Sequence, residues 1–210
     1  MAKGLLIASF DFTDAYEDEF HDWYDLEHIP ERKALPGFGS CERWIGVENS
    51  KRAIATYDLD TIDVLRGQAY QSIAYNNLSP WSKRVTRKCT RILRFEGTQI
   101  LPGGESAPDQ AGGLLMVAIN VTNENDDDFN AWYTEEHIPN LLKVPGVLSA
   151  RRYKSSEGTH RYVAIYHLTQ PEVTKTDAWS VAIDTPWSSR IRPQFQDRIR
   201  ILAKKYERPI

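Results

Sequence analysis

The segments Phe20-His-Asp-Trp-Tyr-Asp-Leu-Glu-His-Ile-Pro30 and Phe129-Asn-Ala-Trp-Tyr-Thr-Glu-Glu-His-Ile-Pro139 are two copies of one motif. Seven of their eleven positions are identical at an offset of 109 residues. Self-similarity at a fixed spacing indicates a repeated structural unit, so the chain is predicted to contain one module twice. The flanking sequence agrees, since the same offset aligns Pro36-Gly37 with Pro145-Gly146, Arg43 with Arg152 and Tyr57 with Tyr166, and an offset of 106 aligns Pro80-Trp81-Ser82 with Pro186-Trp187-Ser188.

A stretch rich in proline and glycine separates the two copies. Residues 101–112 include two prolines and three glycines but few apolar side chains, a composition that disfavours both helix and strand. We therefore predict a first module at residues 1–100, a linker at 101–112 and a second module at 113–210.

Both copies show the same order of predicted elements. Helical spacing of apolar residues predicts a helix over 61–75, and the repeated motif predicts an earlier helix that Pro30 or Pro139 ends. The order is β-α-β-β-α-β, the split βαβ arrangement of ferredoxin-like modules. Apolar runs predict strands near residues 4–12, 39–45, 52–59 and 90–95, with counterparts at 113–121, 147–153, 161–168 and 198–203.

A four-stranded sheet with both helices on one face leaves its other face bare. Two tandem modules can cover each other's bare faces, which predicts an α+β fold in which the sheets pack together as an intramolecular, pseudo-dimeric barrel. Such packing encloses a partly apolar space, where small-molecule sites commonly form.

Composition limits the possible partners and location of the protein. Of its 210 residues, 41% are hydrophobic and 26% charged, with a net charge of −3, so no overall field favours nucleic acid. The apolar run at residues 4–10 is shorter than a signal-peptide core with its flanks, and no run reaches the ~20 apolar residues of a membrane span. With only two cysteines, Cys41 and Cys89, we expect a cytoplasmic protein.

The repeated motif carries groups suited to acid/base chemistry. On a helix, Tyr24 lies one turn before His28, and Glu27 is beside them. A histidine can pass a proton in either direction, a carboxylate can fix its tautomer, and a phenol can donate to a carbonyl oxygen. The alternative is that the aromatic residues pack the core while Glu27 and His28 cap the helix. The second copy offers the same groups at Trp132, Tyr133, Glu136 and His137, which correspond to Trp23, Tyr24, Glu27 and His28 of the first copy.

A second repeated cluster pairs a tryptophan with an arginine three residues later. Trp81 with Arg84, and Trp187 with Arg190, can hold an aromatic or enol-type anion. Alternatively, each tryptophan packs a turn and each arginine points to solvent. The basic residues of 83–94 and 190–205 are predicted to form an exposed strand edge that faces the acidic helix starts.

A metal site has weak support in the first copy. His21, Asp25 and His28 fall at i, i+4 and i+7 on one helix face, a spacing that can supply several ligands. The second copy has Asn130 and Thr134 in place of the first two residues. We therefore expect neither a metal nor another cofactor.

The doubled pattern Trp-x4-His-x-Pro-x5-Pro-Gly, at 23–37 and 132–146, resembles the EthD-like branch of the dimeric α+β-barrel superfamily. The resemblance covers nearly the whole chain apart from the linker. It implies a pseudo-dimer within one chain, and it leaves open whether two such chains pair as a homodimer. Related barrels include cofactor-independent monooxygenases, polyketide cyclases, muconolactone isomerases and haem-dependent enzymes, so the fold does not fix the reaction.

The leading hypothesis from sequence is a cofactor-independent isomerase, cyclase or lyase for a small apolar carbonyl or aromatic compound. His28 or His137 would be the base, tyrosines would polarise the carbonyl, and Glu27 and Glu136 would orient the imidazoles. The four tryptophans 23, 81, 132 and 187 would form walls, with Arg84 or Arg190 as the anion anchor. The alternatives are a binding protein for an apolar metabolite and a metal- or haem-dependent oxidoreductase. Since Asp58 aligns with His167, and His21 with Asn130, the two modules are not chemically equal, and a further hypothesis is that only one of them holds the working site.

Overall fold

The eight strands form one closed antiparallel barrel. The computed structural model describes residues 2–155 and 157–208. Around the barrel the strand order is β1-β3-β2-β8-β5-β7-β6-β4, and every neighbouring pair is antiparallel. The strands are β1 (Gly4–Asp11), β2 (Phe38–Gly46), β3 (Arg52–Leu59), β4 (Thr90–Leu101), β5 (Gly113–Asn120), β6 (Val147–Lys154), β7 (Tyr162–Leu168) and β8 (Gln196–Lys205).

The helices pack on the outside of the barrel. The α-helices are α1 (Glu17–Trp23), α2 (Ile29–Lys33), α3 (Gln68–Gln71), α4 (Pro80–Thr86), α5 (Asp126–Trp132), α6 (Ile138–Leu141), α7 (Asp177–Ile183) and α8 (Pro186–Ile191). Short 3-10 turns lie at Ile62–Arg66, Tyr75–Asn77, Asn123–Asn125, Pro171–Lys175 and Arg192–Gln194. One apolar cluster draws on all eight strands and fills the barrel, and two others lie between the barrel wall and the helices of each half.

The prediction that Pro30 and Pro139 end the first helix of each half is wrong. A π-helical turn, Tyr24–His28, joins α1 to α2, and the Ile29 N–H donates to the Tyr24 carbonyl five residues back. A proline inside a regular α-helix lacks a donor and clashes with the carbonyl four residues earlier. The wider π turn relieves this clash, so the helix continues past Pro30 to Lys33.

The prediction of a single helix over 61–75 is also wrong. Gly67 has an extended backbone with ψ of 147°, which separates the 3-10 turn Ile62–Arg66 from the short helix α3. The chain here makes two short turns. They carry Leu65 and Tyr70 into the core between helices and sheet.

The basic segments of β4 and β8 do not form an exposed edge. β4 pairs with both β1 and β6, and β8 pairs with both β5 and β2. These are the two seams that close the barrel. The arginines on the outer faces of β4 and β8 therefore point toward the helices of their own half.

Candidate functional site

Each half encloses a cavity between the outer face of its sheet and its helices. The first cavity has a volume of about 140 Å³ and the second about 240 Å³. Apolar and aromatic side chains form most of each wall, with a histidine in each. The repeated motif therefore lines a cavity in both halves, with Trp23 and His28 in the first and Trp132, Tyr133 and His137 in the second.

The π turn places His28 against three aromatic rings. Its imidazole lies 4.6 Å from the Trp23 ring and 5.4 Å from the Tyr24 ring, as measured between centroids, with Tyr57 at 6.3 Å. Its Nδ1 atom is buried and has no hydrogen-bond partner within residues 2–155 and 157–208. Burial, with the guanidinium groups of Arg32 and Arg43 nearby, holds the pKa of His28 well below its usual range. The imidazole is therefore neutral at pH 7.

His137 has the same surroundings in the second half. It stacks on Trp132 at 4.1 Å between centroids, and the rings of Tyr133 and Tyr166 lie at 5.2 Å and 6.1 Å. Burial, followed by the charges of Arg192 and Arg152, lowers the pKa of His137 to about 3. Its Nδ1 atom is likewise buried and unpartnered among the described residues.

Four buried phenols accompany the two histidines. Within the described ranges, the hydroxyls of Tyr24, Tyr57 and Tyr166 are buried without a hydrogen-bond partner. Burial raises the pKa of these three phenols and of Tyr133, so all four are protonated donors at neutral pH. Sequence reasoning proposed Tyr24 and Tyr133 but missed Tyr57 and Tyr166, which face the same cavities from β3 and β7.

Glu27 and Glu136 do not orient the histidines. The Glu27 carboxylate accepts hydrogen bonds from Ser79 Oγ at 2.5 Å and Ser82 Oγ at 3.0 Å, and the Trp23 indole donates to Ser82 Oγ at 2.8 Å. In the second half, Glu136 accepts from Thr185 Oγ1 at 2.6 Å. Each glutamate therefore fastens the motif helix to the start of α4 or α8, which is a structural role.

The Trp-x2-Arg clusters lie outside the cavities. Arg84 pairs with Glu19 at 2.9 Å, and Arg190 pairs with Asp128 at 2.9 Å, at the acidic starts of α1 and α5. The Trp187 indole donates to the same Asp128 carboxylate. Trp81 packs against the core between helices and sheet. Neither tryptophan lines a cavity, so the structure does not support their assignment, or that of the two arginines, as substrate contacts.

The three weak metal candidates are not brought together as a ligand set. The Arg43 guanidinium lies between two of them, 2.6 Å from His21 Nδ1 and 2.5 Å from Asp25 Oδ1. A cation in this place occupies the position that a metal would need. His28 instead faces the first cavity. A search of the residues that the structure describes finds no cluster of three or more His, Cys, Asp or Glu with metal-binding geometry.

Arginines line both cavities, and all of them except Arg32 come from the basic segments 83–94 and 190–205 that were predicted to form a strand edge. Arg32, Arg91 and Arg94 line the first cavity. The second is lined by Arg192, Arg198 and Arg200. The spacing of Arg198 and Arg200 on β8 contained the signal, because alternate residues of a strand share one face. In β4, a register shift beside Arg91 brings it to the face of Arg94, which the spacing did not indicate. Each cavity thus combines an apolar wall, a neutral imidazole and a cationic border.

Comparison with known proteins gives the fold. Residues 113–203, less than half of the chain, match a family model described as a domain of unknown function, DUF4286. No curated protein matches. Across the part of the chain described by the structure, no helix combines the length and apolar character needed to cross a membrane.

Solved structures of similar shape cover almost the entire chain. A protein of Fusobacterium nucleatum described as a candidate monooxygenase is 9% identical, with a TM-score of 0.62 over 98% of this chain and 93% of its own. An anthrone oxidase-like protein is 12% identical, with a TM-score of 0.63 over 97% and 92%. A chlorite dismutase variant from Candidatus Nitrospira defluvii is 13% identical, with a TM-score of 0.61 over 99% and 93%. The likeness establishes that this chain has the fold of the dimeric α+β barrels.

Proposed function

We propose that the protein is an enzyme that moves protons on a small apolar carbonyl or aromatic compound without a cofactor, in an isomerisation, cyclisation or lyase reaction. The observation that carries the proposal is the second cavity, where a neutral imidazole and protonated phenols face one apolar space. Groups of this kind can take a proton from carbon while donating a hydrogen bond to oxygen.

His137 is the proton acceptor in this scheme. The C–H bond next to the substrate carbonyl breaks, its proton passes to the imidazole, and the electron pair becomes an enolate. Without a ligand the pKa of His137 is about 3, which makes it a weak base. The developing enolate charge beside the ring favours the protonated imidazole and raises that pKa during the reaction. Return of the proton to a different carbon completes an isomerisation.

The phenols stabilise the enolate oxygen. Tyr133 and Tyr166 both lie within 6.1 Å of the His137 ring between centroids, so one small molecule can contact all three groups. The Tyr166 hydroxyl is buried beside the Tyr133 hydroxyl and has no other partner among the described residues. Because burial keeps both phenols protonated, each can form a hydrogen bond that strengthens as charge develops on oxygen.

Cavity size favours a compound of one ring. An apolar cavity of about 150 Å³ holds benzene, which is close to the 140 Å³ of the first cavity and smaller than the 240 Å³ of the second. Sites for drug-sized ligands begin at about 300 Å³. A haem exceeds both volumes, and the side chains as they stand do not fit it.

We further propose that the chain is an EthD-like tandem fusion. The modules would span 1–100 and 113–210, joined by the linker 101–112. In each half the first strand lies between the fourth and the third, with the second strand outermost, the order of a ferredoxin-like sheet. The two halves would form a pseudo-dimer in one chain, and the free thiols of Cys41 and Cys89 favour a cytoplasmic location.

Proton exchange tests the function without knowledge of the natural substrate. We would incubate the protein in D₂O with small aryl ketones and β-diketones and follow loss of the α-proton signal by NMR. Exchange is expected in the wild type and lost in a folded His28→Ala, His137→Ala double variant. Unchanged exchange in that variant would refute the proposal. Tight retention of a compound without exchange would instead favour a binding protein.

A further inference from the structure

Two arginines occupy the same place in the two halves but have different surroundings. Arg94 of β4 lies opposite Ala8 of β1, and Arg200 of β8 lies opposite Val117 of β5. Ala8 and Val117 are themselves equivalent, since they are 109 residues apart. A difference between the partners of Arg94 and those of Arg200 is therefore a difference between the two cavities.

Arg94 is neutralised within its own half. Its guanidinium contacts the Glu96 carboxylate and donates to the hydroxyls of Tyr75 at 2.9 Å and Tyr70 at 3.2 Å. These contacts use the donors that a ligand in the first cavity would need. On the border of the first cavity, Arg94 thus has its charge already paired, while Arg91 on the same border forms no ion pair or hydrogen bond with a described residue.

The same pairing is lost in the second half. The offset of 106 that relates the last strands places Leu202 at the position of Glu96. Arg198 and Arg200 lie at the solvent-exposed mouth of the second cavity, and within residues 2–155 and 157–208 their guanidinium groups form neither an ion pair nor a hydrogen bond. Burial lowers the pKa of Arg200, the nearby Arg198 lowers it further, and the charge of Glu48 partly offsets both effects. Two neighbouring cations without a bonded anion make the border of the second cavity attractive to a negative group.

Strand register sets the distance from these cations to the proposed base. Leu115 of β5 lies between Tyr166 and Leu202, and two residues along the strand Val117 lies between Ala164 and Arg200. Two residues of a strand span about 7 Å. Because the His137 ring lies against the Tyr166 ring, an anion at Arg200 would place the body of a one-ring compound beside the imidazole.

We propose that the second cavity binds a small aromatic or enolisable compound that carries a carboxylate, and that Arg198 and Arg200 hold this carboxylate while the ring faces His137. The second half is then the working site. The reaction rests on the function proposed above, whereas the binding preference stands on its own.

Binding of benzoate and of its neutral analogue benzamide separates charge recognition from catalysis. Titration calorimetry on the full chain is expected to show benzoate bound at least tenfold more tightly than benzamide, because the carboxylate forms charge-assisted hydrogen bonds with the two guanidinium groups. An Arg198→Gln, Arg200→Gln variant is expected to lose about tenfold in benzoate affinity and to change less than twofold with benzamide.

Two control variants locate the effect. Arg190→Gln removes one positive charge from the outer surface of the same half, and Arg94→Gln removes one from the first cavity; both are expected to leave benzoate affinity within twofold. Equal affinity for the two probes, no detectable benzoate binding, or a loss confined to Arg94→Gln would each overturn the inference. Benzoate binding without proton exchange on any ketone would contradict the proposed reaction alone.

Discussion

Replacement of His167 by glutamine should make the protein less sensitive to acid. His167 is 0% exposed inside the barrel. Its Nδ1 atom lies 3.1 Å from Ser149 Oγ, and its Nε2 atom lies 4.0 Å from a Glu42 oxygen, too far for a hydrogen bond. Burial, followed by the charges of Arg151 and Lys205, lowers the pKa of His167 to about 3.

The size of the effect follows from proton linkage. The unfolded histidine has a pKa of about 6.5, so between pH 6.5 and pH 3 the unfolded chain binds one proton that the folded chain does not. Above pH 6.5, His167 is neutral in both the folded and the unfolded chain and does not change the free energy of unfolding. Below pH 6.5, that free energy falls by about 1.4 kcal/mol for each pH unit. Between pH 7 and pH 4.5 the wild type should lose about 2.7 kcal/mol from this residue alone.

Urea unfolding at pH 7.0, 5.5 and 4.5 measures this contribution. Glutamine does not titrate, so the free-energy difference between wild type and His167→Gln should shift by about 2.7 kcal/mol in favour of the variant as the pH falls. Ser149→Ala is the control, because it removes the hydrogen bond but keeps the histidine. A stability difference between wild type and His167→Gln that stays constant across the three pH values would refute the reasoning.

Three further substitutions test the assigned roles. Glu27→Ala leaves the Ser79 and Ser82 hydroxyls without their acceptor and should lower the free energy of urea unfolding by about 2 kcal/mol. Asp58→Ala removes the carboxylate that lies 2.7 Å from the buried Arg151 guanidinium and leaves that charge unpaired. It should lower the free energy of urea unfolding by about 3–5 kcal/mol. Tyr166→Phe removes an unpartnered hydroxyl, so the melting temperature should hold within about 2 °C while proton exchange in D₂O falls about 100-fold.

The sequence predicted the α+β barrel because the pattern of strands and helices is a local signal. Residues of β1 and β5 that alternate along the strand fill the barrel on one face and contact helices on the other, as a period of two requires. The predicted end of the motif helix was wrong because a π turn has no clear sequence signal apart from the proline that it accommodates.

The candidate site was predicted in part, for identifiable reasons. His28, His137, Trp23 and Trp132 line the two cavities, since they lie on the apolar face of the motif helix, and their chemical roles stay predictions. Glu27 was misjudged because adjacent residues of a helix do not face each other. Arg84 was misjudged because its partner, Glu19, lies 65 residues away, which no local pattern encodes.

The interior of the barrel brings together complementary charged groups from residues 1–101 and residues 113–208. Under the offset of 109, Asp58 is equivalent to His167 and Glu42 to Arg151, so the first half supplies acids where the second supplies bases. Asp58 pairs with Arg151 at 2.7 Å, and the matching contact brings His167 to 4.0 Å from Glu42. Two first halves packed in this way would bury Asp58 against Glu42, two carboxylates without a cation, at a cost of several kcal/mol for each uncompensated charge. The complementary charges therefore favour packing of residues 1–101 against residues 113–208 over packing of two copies of either segment.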